Sequence, residues 1–297
     1  MKKTKRLSNI KLTQLSQIDS NKFLLALISD WFVIVGSLFL CLETQSYILY
    51  FNLMFIIASR IHALGLLGHD GTHKLAFKNK VLNDLVTNIF CFVPAFMGIS
   101  QYKNFHMQHH RHLNTIKDPE IEYRKIFNYS WKLPLKIPYL FKIFLIDVSG
   151  LGIIEPITAI KYMKGAKIYE LLLPFICWCV FIGIFVYIDK AIIPIVYSLS
   201  VICFLNFFIH MRGRFEHLKT HSTHRYNSPR IINYLFFPHN TWCHYEHHKY
   251  PSIPFYNLPK ARDLEGEIEM KVLSFNQICS YLHNESFCPK RFYEKLL

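Results

Sequence analysis

The chain has 297 residues, of which 52% are hydrophobic and only 18% are charged, a balance that favours a membrane protein. Lysine and arginine outnumber aspartate and glutamate by 34 to 20, which can indicate either nucleic-acid binding or cytoplasmic loops beside anionic lipid. The eight cysteines form no Cys-x-x-Cys pair, so no disulfide framework is indicated.

After a polar and basic segment at residues 1–22, four apolar runs are long enough to cross the roughly 30 Å hydrocarbon core of a membrane. They extend from Phe23 to Leu42, from about Tyr47 to Leu67, from Ile168 to Ile188 and from Ala191 to Phe208. The first run lacks a small-residue cleavage site, which favours a retained span over a signal peptide. Because the links within each pair of runs are short, we expect two helical hairpins.

Two further apolar stretches are interrupted and shorter. Val81 to Ile99 contains polar residues and Pro94, and Tyr139 to Ile154 contains Lys142, Asp147 and two glycines. Either stretch is typical of an interfacial or re-entrant helix. Neither is expected to cross the membrane on its own.

The distribution of basic residues predicts the orientation. Of the 34 lysines and arginines, 32 fall in residues 1–22, 63–167 and 212–297. The positive-inside rule places these regions, and hence both termini, in the cytoplasm. The basic excess is thereby explained by topology, and nucleic acid is not expected as a partner.

Two charged residues, Asp30 and Arg60, lie inside the first two spans, where an isolated charge is costly. Asp30 follows Phe23 by seven residues and Arg60 precedes Leu67 by seven, so their depths match in an antiparallel hairpin. We predict that they form a pair. The alternative is that each meets water or a backbone carbonyl separately.

Thirteen of the sixteen histidines fall in four short stretches, at 69–73, 106–112, 217–224 and 239–248. The first stretch contains His-x-x-x-His, and the second and fourth each contain His-x-x-His-His. Residues three and four apart share one helical face, so the three imidazoles of a His-x-x-His-His box are expected to point the same way. Imidazole suits iron, zinc, copper or nickel.

The predicted topology puts all four stretches on one side of the membrane, just outside the spans, where they can converge. Two alternatives to a reactive metal site are open. The histidines could be interfacial residues that bind nothing, or they could form a zinc or copper transport site. Transport sites usually place their ligands within the membrane pathway, which differs from the arrangement predicted for this chain.

Three runs resemble the histidine boxes of the membrane fatty acid desaturase and hydroxylase superfamily, whose members are integral-membrane di-iron enzymes. The runs are HDGTHKLAFKNKVLNDLVTNIF, FHMQHHRHLNTIKDPE and PHNTWCHYEHHKYPSIPFYNLPKAR. Arg212 to His217, ending in Glu-His, is similar to the extra ligand position that family members carry near the end of the fourth span. The resemblance covers roughly His62 to Arg262.

The resemblance implies two iron ions, dioxygen as co-substrate, and nine metal ligands, which are His69, His73, His106, His109, His110, His217, His244, His247 and His248. Asn240, Glu216 and Asp70 are candidates for orienting an imidazole or a water, although each could be only a polar group at a helix end.

The remaining histidines are assigned other roles. The count of nine does not require His112, His221 or His224, although the last two would share a face with His217 if its helix continued. We expect His239 to contact solvent or lipid headgroups. We expect structural roles for His62, His210 and His283.

The fold implied by the resemblance is all-α and integral to the membrane, with four transmembrane helices in two hairpins, a cytoplasmic histidine-rich cap and interfacial helices. The expected organisation is a cytoplasmic N-terminal segment at 1–22, a desaturase-like membrane domain at 23–262 and a cytoplasmic C-terminal tail at 263–297.

The activity implied is dioxygen-dependent oxidation of a long apolar lipid chain, with desaturation of an acyl lipid as the expected reaction. Hydroxylation or ketolation of a carotenoid, sterol, sphingoid base or alkane is an alternative, as is a non-catalytic metal-binding or metal-transporting membrane protein. The sequence contains no His-Pro-Gly-Gly and no Gly-x-Gly-x-x-Gly motif. A separate ferredoxin or small cytochrome with a reductase is therefore implied as the electron donor.

Overall fold

The computed structural model describes residues 7–127, 131–132, 134–165, 167–218, 220, 222–266 and 272–284. Within these residues the chain is helical, apart from turns and one isolated β-bridge between Tyr226 and Leu273. The helices of the first half are α1 (Asn9–Leu15), α2 (Ser20–Glu43), α3 (Tyr47–Thr72), α4 (Lys80–Thr87), α5 (Ile99–His112), α6 (Pro119–Ile126), α7 (Ile137–Val148) and α8 (Ile154–Ala159).

The helices of the second half are α9 (Ile168–Tyr187), α10 (Ile192–Ser200), α11 (Asn206–His217), α12 (Arg230–Phe236), α13 (His244–Lys249), α14 (Leu258–Glu265) and α15 (Phe275–His283). A π turn at Val201–Leu205 joins α10 to α11, so that Ile192–His217 runs as one helix of 26 residues.

Four helices are long and apolar enough to cross a membrane, namely α2, α3, α9 and the joined α10–α11. The four predicted apolar runs are therefore confirmed as helices of spanning length. Two of them extend further than the apolar runs, because α3 continues past Leu67 to Thr72 and α11 continues past Phe208 to His217. Both extensions are buried inside the protein, where polar side chains find partners other than lipid.

The two interrupted stretches are bent. The axis of Lys80–Ala95 meets that of α5 at 91°, and the axis of α7 meets that of Leu151–Tyr162 at 85°. A residue with positive φ lies at each corner, Phe96 at 57° and Gly150 at 85°. Each stretch therefore turns sharply at its interruption.

A buried ionic cluster joins the first two spans. Arg60 Nη1 lies 3.2 Å from Asp30 Oδ1, which confirms the predicted pair, and the guanidinium also donates to the carbonyl of Tyr234. His239 Nε2 lies 2.6 Å from the other carboxylate oxygen of Asp30. The expectation that His239 contacts solvent or lipid headgroups was wrong, because the second oxygen of a buried carboxylate also needs a donor.

A second buried network fixes the bent α7–α8 segment to α11. The two ring nitrogens of His210 lie 3.0 Å from Asp147 Oδ2 and 2.8 Å from Glu155 Oε2. His283 Nδ1 lies 3.0 Å from the carbonyl oxygen of Leu135. The structural roles predicted for His210 and His283 are confirmed.

Both ends of the described part of the chain pack against other segments. Leu7 and Leu15 are buried with Tyr250 and Ile253, which follow the last histidine stretch. At the other end, the ring of Phe275 in α15 stacks on that of Phe215 in α11. Both α1 and α15 are therefore packed onto the other helices.

The Asp30–Arg60 pair generates a stability prediction. Replacing Asp30 by Asn, or Arg60 by Gln, leaves a buried charge without its partner, and each change is expected to lower the free energy of unfolding by about 3 kcal/mol. The double variant should lose clearly less than the sum. Denaturant unfolding of the purified protein in detergent measures these losses.

The exposed Lys22–Asp19 pair supplies the matched control. Its side chains are 50% and 43% exposed, so Lys22→Gln should change the free energy of unfolding by less than about 1 kcal/mol. Additive losses in the Asp30 and Arg60 variants would contradict the coupling between these residues.

Candidate metal centre

The first histidine pair lies at the end of α3. His69 is in the last turn of this helix, and His73 follows its final residue. Between them, Gly71 allows a close approach of α4, because a Cβ there would lie only 2.2 Å from Thr87 Cγ2. The absence of a side chain at Gly71 thus lets α4 pack directly against the first histidine pair.

The two His-x-x-His-His boxes lie on short amphipathic segments. His106, His109 and His110 lie in the last two turns of α5, whereas His244, His247 and His248 form half of α13. In each box the first and last histidines share one neighbourhood, and the middle histidine enters another. The two consecutive histidines of a box are about 100° apart around the helix axis, so one box can supply two adjacent sites instead of one.

The nine histidines form two adjacent groups whose ligand atoms all lie within 4.8 Å of one another inside each group. The first histidine group contains His69, His73, His106, His110 and His247. The second histidine group contains His109, His217, His244 and His248. The structure thus brings together all nine residues that the resemblance implied.

The additional histidines of these stretches belong to neither group. His112 lies half-buried just beyond the second box. Because α11 ends at His217, the condition under which His224 would share a helical face with His217 is not met. His224 Nε2 lies 2.6 Å from the carbonyl oxygen of Leu218. His221 lies outside the described residues.

The contacts within the groups fit a metal better than a hydrogen-bond network. Pairs of Nε2 atoms lie 2.9 Å apart in His73–His106 and in His217–His244, and 3.0 Å apart in His110–His247. Ligands at about 2.1 Å from one ion are separated by distances of this order. His69 Nε2 and His109 Nε2 are buried without any hydrogen-bond partner, which leaves both atoms free to bind a cation.

The ionisation of the imidazoles also suits metal binding. Burial, aided by the positive charge of Lys103, lowers the pKa of His73 to about 4. Burial and the neighbouring histidines lower the pKa values of His244, His247 and His248 well below their usual range. These rings are therefore neutral near pH 7, and each keeps the lone pair that a metal requires.

Asp118 is a functional candidate that the sequence interpretation missed. Its carboxylate oxygens lie 3.0 and 3.1 Å from His109 Nδ1, and the residue is fully buried. A carboxylate on the outer nitrogen fixes the tautomer and orientation of a metal-bound imidazole. The available signal was Asp-Pro at the end of the second box run, but an aspartate before Pro119 is equally explained as the cap of α6, and Asp118 does accept from the backbone of Glu120.

The three residues proposed to orient ligands differ in their surroundings. Glu216 Oε2 lies 3.4 Å from His244 Nε2 and the carboxylate accepts from Arg212 at 2.9 Å. Asp70 Oδ1 lies 3.6 Å from His69 Nδ1, while its other oxygen accepts from the backbone of Phe255 at 2.8 Å.

Asn240 contacts the backbone of Phe255. Its amide donates to the carbonyl oxygen of Phe255 at 3.2 Å, and its backbone adopts a left-handed conformation with φ of 57°. This geometry shapes the turn before α13, and a role of Asn240 in orienting an imidazole stays a prediction.

Buried polar contacts hold α13 in place. Arg225 Nε lies 2.5 Å from Glu246 Oε1, and the guanidinium also donates to the carbonyl of Gly266. Glu246 lies between His244 and His247. Its ion pair therefore fixes the orientation of a helix whose histidines serve both groups.

A cavity of about 540 Å³ extends from the histidines into the helical bundle. At one end it is bounded by His106, His109, His217 and His244, and its walls are mainly apolar side chains of α3, of the corner before α5, of the α8 region and of the π turn between α10 and α11. Its size and apolar lining are typical of a small-molecule site with a few polar groups at one end.

Comparisons with known proteins agree with this arrangement. The sequence model of the family described as "Fatty acid desaturase" matches residues 46–278. A sphingolipid delta(4)-desaturase of Mus musculus is 25% identical over 240 residues, which cover 75% of this chain and 68% of the relative.

The names of two further relatives include a monooxygenase and a ketolase. A sphingolipid delta(4)-desaturase/C4-monooxygenase of Homo sapiens is 28% identical over 215 residues, covering 69% of this chain and 62% of the relative. Beta-carotene 4-ketolase 3 of Haematococcus lacustris is 24% identical over 230 residues, covering 75% and 65%. The chain thus spans about two thirds of the length of these curated relatives.

The Asp118–His109 contact generates a prediction about metal affinity. Asp118→Asn keeps a side chain that can cap α6 but removes the negative charge beside His109. Loss of such an orienting partner is expected to weaken Fe²⁺ binding by about 10- to 100-fold, measured by chelator competition on the purified protein. Glu122→Gln, an exposed position on the same helix, is the control and should leave the affinity unchanged; equal affinities in all three proteins would rule out the role of Asp118.

Proposed function

Because the chain belongs to the fatty acid desaturase family of oxidoreductases, we propose that it oxidises a long apolar lipid chain with dioxygen, and that the reaction is desaturation of an acyl lipid. The observation that carries the proposal is the position of the two histidine groups at the end of the mainly apolar cavity. An unactivated methylene placed in this cavity would lie beside the proposed metal site.

We propose that each histidine group holds one iron ion, with the first group supplying five nitrogens and the second group four. Imidazole ligands suit iron, and members of the family use iron. Two bound iron ions would supply the oxidising power, drawn from dioxygen and two external electrons, that side chains lack. The outer polar residues, above all Asp118, would keep the rings in the orientation that binding needs.

The protein itself would position the lipid chain and exclude water from the oxidised carbon. The apolar wall would hold the chain extended and keep bulk water from the oxidised carbon, since the cavity presents few polar atoms apart from those at the histidine end. Arg212 and Glu216 border the cavity where it meets the histidines. Their mutual ion pair at 2.9 Å would let a charged pair line the site without leaving an unpaired buried charge.

The proposed topology follows from the charge distribution. The four spanning helices would form two hairpins, with the histidine-rich cap and both termini on the cytoplasmic side, because basic residues concentrate in the regions that would lie there. The proposed organisation remains a segment at 1–22, a membrane domain at 23–262 and a tail at 263–297. A ferredoxin or small cytochrome with its reductase would deliver electrons from the cytoplasm.

A second candidate is hydroxylation or ketolation by the same site. It is favoured by the relatives named as a C4-monooxygenase and a ketolase. The outcome depends on which carbon the site faces and on the fate of the oxidised chain. The non-catalytic alternative loses its basis, because the family and the desaturase relatives indicate an oxidoreductase.

Lipid profiling tests the proposed function. Cells expressing the protein should accumulate a lipid that has lost two hydrogens, and cells expressing His247→Ala should not, because His247 belongs to the first histidine group and contacts His110. A gained oxygen atom would select hydroxylation, and a gained oxygen with loss of two hydrogens would select ketolation.

The matched control is His112→Ala, which alters a histidine beside the second box that belongs to neither group. Its product level should stay within about twofold of the wild type, as expected for a residue outside the special sites that single mutations disrupt. Identical lipid profiles in cells with the wild type and with His247→Ala would refute the proposed activity.

A further inference from the structure

We propose that His62 is a specificity-determining residue, which recognises a hydroxyl group carried within the apolar chain of the substrate. The inference rests on the proposed function in one respect, since it takes the cavity to be the place where the chain is held. It concerns the far wall of that cavity and no metal ligand.

The imidazole of His62 is buried without a partner. The residue is 5% exposed, and neither Nδ1 nor Nε2 has a hydrogen-bond partner. The ring stacks on that of Phe208, with centroids 6.0 Å apart and planes at 19°, so its orientation is fixed. Polar atoms buried in this way are rare in folded proteins, and an unpaired one points to a missing ligand or water.

The neighbouring charged groups are already engaged. Arg60 binds Asp30, and Arg212 binds Glu216. The other buried histidines on the spans or beside them that lie outside the two groups have carboxylate partners, with His210 between Asp147 and Glu155 and His239 beside Asp30. His62 therefore differs from His210 and His239 in having no protein group to satisfy it.

His62 borders the same cavity that ends at the histidine groups. It precedes His69 by seven residues on α3, so the two side chains lie on nearly the same side of the helix and about 10 Å apart along its axis. A polar atom at His62 would therefore contact the substrate at a fixed distance from the oxidised carbon.

The chemistry of a neutral imidazole selects a hydroxyl group. Its ring offers one donor and one acceptor, and a hydroxyl can satisfy either of them, whereas a methylene satisfies neither. A charged group would have to be desolvated beside an uncharged ring, which is unfavourable.

The depth of His62 indicates that the hydroxyl belongs to the chain and not to a lipid headgroup. His62 lies five residues before Leu67, where the apolar run ends, which is roughly 7.5 Å along the axis of α3 and about a quarter of the thickness of the hydrocarbon core. An ionisable residue at such depth generally marks a functional position.

The test compares the binding of chains that differ only in one hydroxyl. Purified full-length protein in phosphatidylcholine nanodiscs is titrated with octadecanoic acid and with each of its monohydroxy isomers, in competition with radiolabelled octadecanoic acid. The wild type should bind one isomer, or two adjacent ones, about tenfold more tightly than octadecanoic acid, the equivalent of about 1.4 kcal/mol. In His62→Phe the ratio between the affinities for the preferred isomer and for octadecanoic acid should fall to about one, a loss of about tenfold in preference.

His62→Gln, which retains a donor and an acceptor, should keep part of the preference and provides the answer if His62→Phe does not fold. Equal binding of all isomers by the wild type would mean that His62 holds water only, and a preference that persists in both variants would assign it to another residue; either result overturns the proposal for His62 alone. Failure of every acid to bind would overturn the proposal that His62 contacts a chain held in this cavity, whereas the proposed function is tested separately by the lipid profiles of cells with the wild type and with His247→Ala.

Discussion

The close packing of nine buried imidazoles is the constraint on which the remaining architecture depends. Nitrogens of neighbouring rings face one another at about 3 Å, and each neutral ring has one nitrogen with a free lone pair, so a cation in each group could bind several of these lone pairs together. To bring these rings together, four chain segments must end at the same level. They do so because α3 and α11 continue beyond their apolar runs, and because α5 and α13 place their histidine boxes beside those extensions.

Buried carboxylates pair with buried histidines at several places in the interior. Asp118 contacts His109, Asp30 contacts His239, and a third histidine lies between two acidic side chains at the α7–α11 junction. A buried carboxylate is costly unless it is paired, and a buried histidine outside the metal groups needs a partner as well. Pairing the two kinds of residue satisfies both and ties distant helices together.

The sequence contained enough information to predict which nine histidines converge and which helices are long enough to span a membrane. Spacing within the boxes, resemblance to a family and the positions of apolar runs are all local features. The Asp30–Arg60 pair could also be predicted, because equal depth in neighbouring spans is a local count. The division of each box between the two groups could not be predicted. The spacing gives the angle between two imidazoles around the helix axis, but it does not show which other histidines each imidazole faces.

Contacts between remote segments could not be predicted. His239 reaches Asp30 across 209 positions of sequence, and no local pattern marks that approach. Asp118 looked like an ordinary helix cap, and it is one, but its carboxylate also faces His109. His62 looked like a structural core residue, since only the folded chain reveals that its ring nitrogens have no partner and that a cavity passes beside it.

The His-x-x-His-His box at 244–248 contributes to both histidine groups, and this has a consequence for biosynthesis. His247 completes the first histidine group, and His244 and His248 complete the second. A ribosome synthesises these three residues after every other ligand, so a nascent chain holds two partial sites until its final box emerges. Leu7, which precedes all of these histidines, can likewise contact Tyr250 only after the box at 244–248 has been synthesised. The proposed loading of metal would therefore require translation past His248, and a fragment arrested before that point would hold two incomplete histidine groups.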